Sequence, residues 1–294
     1  MNSATRQTGT ALGIICVQGP DAASFLRAQL TNDVARLGPD RHFLAAWCDA
    51  KGRTEMIARV VETETDGYLL ILPQALIEPM IKRLQMYVLR AKVALSDMTG
   101  ERAVYGLTGA TLPAPGHTEA RAGMRVLGLP ASRDGAARAL VIGDNSVMPA
   151  SNDAMATDDE RWLIADIDAG LPVVLPATRG LFVPQMLNLH WLMAIDFDKG
   201  CYPGQEIIAR LHYRGTLTRR TFRLHWQGER PIPGERITDS EDNEVGTVIA
   251  AARDGSPNHG RLLAVLKAAA IGADTLTCPQ TALTLGDLPY PTPD

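Results

Sequence analysis

Cysteine and long apolar runs are both scarce in this chain of 294 residues. The four cysteines, Cys16, Cys48, Cys201 and Cys278, are far apart and form no CxxC pair. This spacing disfavours a zinc cage and a disulfide framework, and it is typical of a protein in a reducing compartment. No apolar run approaches the roughly 20 residues of a membrane-spanning helix. We therefore expect a cytoplasmic protein with no metal site and no membrane partner.

The chain also has no large excess of charge of either sign, and it has few aromatic residues. The net charge is -4, and aromatic residues make up 5% of the chain. This near balance does not require a nucleic-acid partner, and we do not expect DNA binding. The chain has 46% hydrophobic and 21% charged residues, which is typical of a globular protein, and its length suits two or three packed subdomains.

Hydrophobic periodicity predicts an α+β protein of three parts. Strand-like and helix-like runs follow one another through residues 1–100, which we interpret as a first α+β lobe. Shorter strand-like runs around a segment rich in Pro, Gly and Ala indicate a second α+β lobe at 101–216. From 217 to 294, short alternating runs are separated by Gly, Pro and Asp clusters, and this pattern predicts a small β-barrel.

Two further segments of the chain have patterns that predict helices. Asp21 precedes an apolar stripe at 3-4 spacing, so we expect it to cap the helix that begins there. The segment VPQMLNLHWLMAI, residues 183–195, also has helical spacing. We therefore predict a helix immediately upstream of the segment KGCYPGQEIIAR, residues 199–210.

The segment at 199–210 carries the strongest chemical signal in the chain. Pro203 suits the first turn of a helix that starts near Gly204. Cys201 would then lie at or just before the helix N-terminus, where exposed backbone N–H groups and the charge of Lys199 favour a thiolate. The alternative is that Cys201 packs under the loop as a small hydrophobic residue.

Basic residues are concentrated in and after this motif. Between residues 199 and 225 there are six basic residues and one acidic residue, which gives a local charge of +5. The basic residues are Lys199, Arg210, Arg214, Arg219, Arg220 and Arg223. An anionic ligand such as a phosphate, an RNA backbone or a polycarboxylate tail is one interpretation, and a solvated basic face is the other. Glu206 and Arg210, one helical turn apart, could likewise form a simple surface ion pair.

Several segments together resemble one bacterial family. KGCYPGQEIIAR, the downstream HYRG and the upstream VPQMLNL are similar to motifs of the YgfZ proteins, folate-binding relatives of the glycine-cleavage T-protein. GPDAASFLRAQLTNDV, LAAWCDAKGR and the closing LPY extend the resemblance from about residue 11 to the C-terminus. The resemblance implies a three-lobed, aminomethyltransferase-like folate-binding fold around a central channel, with a C-terminal β-barrel.

The resemblance also implies a cofactor and the residues that hold it. Tetrahydrofolate, or a folate derivative, would bind in the central channel. The indole of Trp162 would stack on a ring of the ligand. Asp168 would accept hydrogen bonds from the pterin. We add Glu206 and Arg210 to the predicted folate-binding set.

The function that the resemblance implies is that of an accessory protein for iron-sulfur cluster assembly or repair, with linked effects on tRNA modification. Cys201, with Lys199 beside it, is the candidate catalytic residue near the bound folate. Its partners would be iron-sulfur client enzymes such as tRNA-modifying enzymes, and whether it catalyses a reaction stays open. The shared motif comprises Lys199, Gly200, Cys201, Tyr202, Gly204, Gln205 and Glu206.

The chain departs from the family pattern at a few positions. Leu12 stands where the bacterial proteins have a second folate-contacting tryptophan, and Ala28 replaces a glycine. The catalytic aspartate of the T-protein falls at Glu55 or Met56, and only Glu55 could do acid-base chemistry.

Two other functions therefore remain open. A folate-dependent aminomethyltransferase would need Glu55 beside the ligand. A noncatalytic tRNA-binding module would use the arginines at 210–223, with Tyr213 and Phe222 as the aromatic residues nearby in sequence.

Overall fold

The computed structural model describes residues 11–63, 67–132, 135–145, 154–272 and 275–292. Over these ranges the chain forms two five-stranded sheets and one closed six-stranded barrel, with four short α-helices. None of the helices in these ranges has both the length and the apolar character needed to cross a membrane. The mixture of helices, sheets and a C-terminal barrel confirms the predicted α+β class.

The first sheet contains only antiparallel neighbours. Its strands are β1 (Leu12–Gln18), β2 (His42–Cys48), β3 (Thr54–Glu62), β4 (Gly67–Pro73) and β5 (Ala94–Asp97). They lie in the order β2-β3-β4-β1-β5. Helices α1 (Ala22–Gln29) and α2 (Ile77–Gln85) bury their apolar stripes in the same core as Ile15 and Leu70.

The second sheet lies against the opposite face of the first. Its strands are β6 (Arg102–Thr108), β7 (Thr118–Arg121), β8 (Met124–Leu129), β9 (Arg138–Asp144) and β10 (Ala154–Ala156). They lie in the order β10-β6-β9-β8-β7. Successive side chains of a strand point to opposite faces, so Ile14 and Cys16 of β1 pack with Leu140 and Ile142 of β9, while Ile15 faces the helices.

Helix α3 (Glu160–Asp168) follows β10, and helix α4 (Gln205–Arg214) precedes the barrel. The barrel strands are β11 (Arg219–Gly228), β12 (Arg236–Thr238), β13 (Glu244–Arg253), β14 (His259–Lys267), β15 (Leu276–Cys278) and β16 (Thr281–Gly286). Strand β11 pairs with both β14 and β16, which closes the barrel and confirms the prediction from the short alternating runs.

One local prediction was confirmed in position only, and one was wrong. Asp21 is the N-cap residue of α1, but its carboxylate makes no capping hydrogen bond and instead accepts one from the backbone N of Lys92 at 2.7 Å. The predicted helix at 183–195 is a short 3-10 turn over Pro184–Leu187, which ends because Asn188 adopts a left-handed conformation with φ 57°. The side chain of Asn188 donates to the carbonyl of Thr221 at 3.0 Å, so it binds the segment to β11 at the point where the 3-10 turn ends.

Candidate functional site

A central cavity lies where the two sheets, helix α3 and the barrel meet. Its volume is about 550 Å³, within the range of small-molecule sites. Most of the wall is apolar, and each part of the fold contributes to it. Representative lining residues are Leu12, Ile57, Leu140, Trp162, Pro231 and Ala251.

The polar groups of the cavity are few, and a salt bridge holds one of them in place. Asp166 lines the cavity and accepts a hydrogen bond from Nη1 of Arg138 at 2.9 Å. Arg138 is fully buried, and its guanidinium lies 5.0 Å from the ring centroid of Trp162. Its Nη2 atom has no hydrogen-bond partner. Arg138 itself does not line the cavity, so it holds the carboxylate of Asp166 from behind the wall.

Arg59 is the second charged group of this wall, and His42 orients it. Nε2 of His42 lies 2.9 Å from the carbonyl of Gly128, and Nδ1 lies 3.1 Å from Nη1 of Arg59. This arrangement requires the Nε2–H tautomer, which donates to the carbonyl and accepts from the guanidinium. Burial lowers the pKa of His42 to about 3, and the charge of Arg59 contributes, so the imidazole is neutral. Burial also lowers the pKa of Arg59 to about 10, which leaves the guanidinium charged near neutral pH.

Trp162 lines the cavity as a wall that is itself almost fully buried, with 1% of its surface exposed. Strand β6 lies directly against the ring, since a Cβ added at Gly106 would be 2.2 Å from it. The guanidinium of Arg138 also packs on the indole. The predicted folate contact of Trp162 is therefore restricted to the part of the ring that borders the cavity.

Asp168 lies at the end of α3, but it does not line the cavity. Its carboxylate is buried and accepts hydrogen bonds from Nη1 of Arg223 at 2.7 Å and from Nη1 of Arg261. Residues two apart on a helix point in directions about 200° apart. Hence Asp166 faces the cavity while Asp168 faces the barrel. Sequence reasoning missed Asp166, although the same helical periodicity could have paired it with Trp162.

Lys199 anchors the motif to the first lobe. Its Nζ donates to the carbonyls of Arg27 and Leu30, both at 2.5 Å, and lies 4.8 Å from the ring centroid of Tyr202. Burial lowers the pKa of Lys199 to about 8, although the charges of nearby carboxylates oppose this shift. The ammonium group is thus committed to contacts that hold the loop in place.

Cys201 is exposed to solvent, as a reactive thiol must be, and it precedes α4, which begins at Gln205. Gly204 has φ 78°, and a Cβ there would be 2.5 Å from the Cα of Gly52, so the motif packs tightly on the turn of the β2-β3 hairpin. Cys201 is not among the residues that line the cavity. The structure therefore does not bring this thiol and the cavity wall together.

The remaining predicted contacts also lie outside the cavity. Glu206 and Arg210 are exposed on α4, and neither lines the cavity. They occupy the same surface region as the motif, so a ligand in the cavity would not meet them directly.

Glu55 lies at a bulge of β3, because Met56 pairs with Trp47 and Thr54 with Cys48, which leaves Glu55 without a partner on β2. Met56 is fully buried. Glu55 is buried, with Oε2 at 3.3 Å from Nε of Arg179. Glu55 itself does not line the cavity.

Within the described part of the chain, no group of three or more His, Cys, Asp and Glu side chains is arranged to hold a metal ion. Three of the cysteines are buried, and Cys201 stands alone at the surface. A cluster of iron and sulfur typically requires four ligands.

The fold of this chain is similar to that of a solved structure. The chain resembles the crystal structure of the glycine cleavage system aminomethyltransferase T from Bartonella henselae with a TM-score of 0.71. The match covers 96% of this chain and 84% of that protein at 15% sequence identity. The fold is therefore aminomethyltransferase-like, in agreement with the expectation from the sequence.

Comparison with curated proteins gives closer relatives. No family model matches the chain. The tRNA-modifying protein YgfZ of Cronobacter sakazakii is 32% identical over 271 residues, which cover 84% of this chain and 79% of that protein. The YgfZ proteins of Serratia proteamaculans and Escherichia coli are 29% and 31% identical, and each match covers more than four fifths of this chain and 78% of the relative. The chain therefore belongs to the family of the tRNA-modifying protein YgfZ.

Proposed function

We propose that this protein binds tetrahydrofolate, or a related reduced folate, in the central cavity, and that it works in the cytoplasm as an accessory protein in tRNA modification. The observation that carries the proposal is the cavity of about 550 Å³ at the junction of the two sheets and the barrel, whose mostly apolar wall includes the carboxylate of Asp166. A folate has an aromatic heterocycle with adjacent N–H donors, an apolar aminobenzoyl ring and an anionic tail, and the wall offers a counterpart to each.

The pterin is matched by Asp166 and its neighbours. A carboxylate can accept hydrogen bonds from an amino group and an adjacent ring N–H. Asp166 is the cavity-facing carboxylate of α3, whereas Asp168 is already engaged by two arginines. Arg59 lines the same wall, and its guanidinium supports a ligand that also carries an acceptor, such as the pterin carbonyl oxygen.

The anionic tail is matched at the barrel side of the cavity. Arg230 and Arg253 line this side, and both lie within ion-pair distance of Glu160, at 2.6 and 3.6 Å. Arg230 also donates to the carbonyl of Ala251, so its position is fixed. Glu229 lines the same side, so the two arginines face two carboxylates and the local charge is balanced; a glutamate tail would be met by the guanidinium groups themselves.

The iron-sulfur part of the proposal rests on Cys201. A single exposed thiol cannot hold a cluster, but a partner enzyme can reach it, and its chemistry suits transient binding of sulfur or iron. In this form of the proposal Cys201 acts on the surface toward iron-sulfur enzymes that modify tRNA, and folate binding in the cavity is a separate property of the same protein.

Calorimetric titration with tetrahydrofolate and its polyglutamates tests folate binding. Asp166→Asn removes a charged acceptor and should weaken binding about 10- to 150-fold. Glu206→Gln, on the exposed face of α4, removes the same charge outside the cavity and should bind as the wild type does. An absence of binding heat with every folate, or equal loss in both variants, would contradict the proposal.

A second experiment tests Cys201 separately. Cys201→Ser should bind tetrahydrofolate with unchanged affinity, because the thiol does not line the cavity. In cells that lack the endogenous protein, the same variant should fail to restore the activity of an iron-sulfur tRNA-modifying enzyme. Full restoration by Cys201→Ser would remove the thiol from the mechanism.

A further inference from the structure

Aromatic and imidazole rings form a cluster on the surface at the C-terminal end of α4. His212 stacks on Phe197, with ring centroids 3.7 Å apart and planes inclined by 12°. Tyr213 meets both rings edge-on, with its centroid 4.7 Å from His212 and 6.3 Å from Phe197. Tyr213 exposes 65% of its surface. An aromatic side chain this exposed on the last turn of a helix leaves a ring face free for a partner.

The aromatic surface continues toward the barrel. The rings of His190 and Trp191 lie 4.4 Å apart, and the guanidinium of Arg220 lies 5.9 Å from the Trp191 ring and 5.2 Å from the Phe222 ring. His190 and Trp191 lie on the same loop as Phe197, and Phe222 lies on β11, the strand that follows α4. We call the set Phe197, His212, Tyr213, His190, Trp191 and Phe222 the ring ladder.

Arginines flank the ring ladder, and acidic residues do not interrupt the segment that bears them. Residues 207–228 contain five arginines and no aspartate or glutamate. Arg210 and Arg214 are exposed on α4, and Arg219 is half-buried at the start of β11. Tyr213, Phe222 and the buried Trp226 are close to these arginines in sequence, whereas the fold adds Trp191 and Phe197 from the loop before the motif. Asp198, next to Phe197, is exposed and adds one negative charge, but the arginines outnumber it. The surface therefore combines exposed π-faces with a local excess of positive charge.

We propose that the ring ladder binds a single-stranded segment of RNA. Proteins that bind single strands combine a positively charged surface with aromatic side chains on which successive bases stack. A solvated basic face would have no reason to expose Tyr213 or to leave Trp191 and Phe197 half-buried. A duplex would satisfy the arginines but not the rings, because its bases are already stacked. The choice of RNA over DNA rests on the proposed function in tRNA modification.

Fluorescence anisotropy with a labelled, unstructured 12-nucleotide RNA tests the proposal on the full chain without folate. Tyr213→Ala should raise the Kd about 5- to 100-fold through the loss of one stacked base, while Tyr213→Phe, which keeps the ring, should bind as the wild type does. Arg214→Gln should reduce the slope of log K against log salt by about 0.7, the value for one phosphate contact on a single strand. Arg90→Gln removes an exposed arginine after α2 and should leave the slope unchanged.

Three results would overturn the assignment. The first is no RNA binding at low salt, which would leave an acidic protein surface as the alternative partner. The second is binding that is insensitive to Tyr213→Ala. The third is equal or tighter binding of a 12-nucleotide DNA strand or of an RNA duplex. Folate calorimetry on the same preparations separates the two proposals, because folate binding without RNA binding rejects only the ring ladder, and the reverse rejects only the folate site.

Discussion

Replacing Asp168 with asparagine distinguishes a structural carboxylate from a ligand contact. Asp168 sits at the C-terminal end of α3, where the helix dipole disfavours a negative charge. Its two partners, Arg223 and Arg261, lie on the adjacent barrel strands β11 and β14. The carboxylate thus joins α3 to the barrel, and we expect its loss to destabilise the fold without changing folate affinity.

The magnitude follows from the burial of the partners. Asparagine keeps the shape of the side chain but removes the charge, so Arg223, whose side chain is 4% exposed, becomes an unpaired buried cation. Removing one member of a buried pair costs about 3–5 kcal/mol. Arg261 is 22% exposed and can be hydrated, which favours the low end, about 3 kcal/mol. For a chain of this size, that loss corresponds to a fall in Tm of about 5 °C.

Thermal unfolding and tetrahydrofolate titration of the same Asp168→Asn preparation provide the assay. Glu78→Gln is the matched control, because it breaks an ion pair whose partners, Lys82 and Glu78, are 70% and 77% exposed, and it should leave the Tm unchanged. A wild-type Tm for Asp168→Asn together with weakened folate binding would refute the reasoning. It would mean that the carboxylate leaves its arginines and contacts the pterin, as the family resemblance implies.

Three further predictions concern packing, pH and thiol reactivity. Gly106→Ala should lower the free energy of unfolding by about 1–3 kcal/mol, because the new methyl group would sit 2.2 Å from the Trp162 ring; an unchanged urea midpoint would contradict this packing. The folded pKa of His42, about 3, lies below its unfolded value of about 6.5, so the unfolded state binds more protons between these values and stability falls as the pH is lowered through that window. His42→Gln should flatten the stability profile there by up to about 1.4 kcal/mol per pH unit, and a profile parallel to the wild type would show that His42 is not the titrating group. In the native protein iodoacetamide should modify Cys201 and spare the three buried cysteines, so peptide mapping that finds a second modified cysteine before unfolding would contradict the described burial.

The secondary structure was largely predictable because the strands carry clear patterns. The short alternating runs after residue 217 predicted the barrel, and its strands β11 (Arg219–Gly228) and β13 (Glu244–Arg253) lie in that segment. The helix predicted at 183–195 failed because no local pattern reveals a left-handed Asn188 whose side chain bonds to Thr221.

The candidate site was less predictable, since the orientation of α3 depends on residues far along the chain. The resemblance indicated Trp162, which does line the cavity. It did not indicate Asp166 or Arg59, because which side of α3 faces the cavity is decided by the arginines that engage Asp168 from the barrel. The orientation of Arg59 likewise depends on a neutral His42 held by a carbonyl from another sheet. Contacts between residues this far apart in the chain produce no periodic pattern in the sequence.

The position of Cys201 changes how the motif itself should be understood. Lys199 is tied to the end of α1, Tyr202 is buried in the core, and Gly204 allows the close approach to Gly52. The side chain of Gln205 donates back to the carbonyl of Lys199 at 3.4 Å. Four motif residues therefore fix a loop whose cysteine remains exposed, which is costly to build unless the thiol is presented to a partner. Helix α4 connects this loop to the ring ladder over ten residues, or about 15 Å, so a macromolecule bound to the ladder would have to extend that far to meet the thiol.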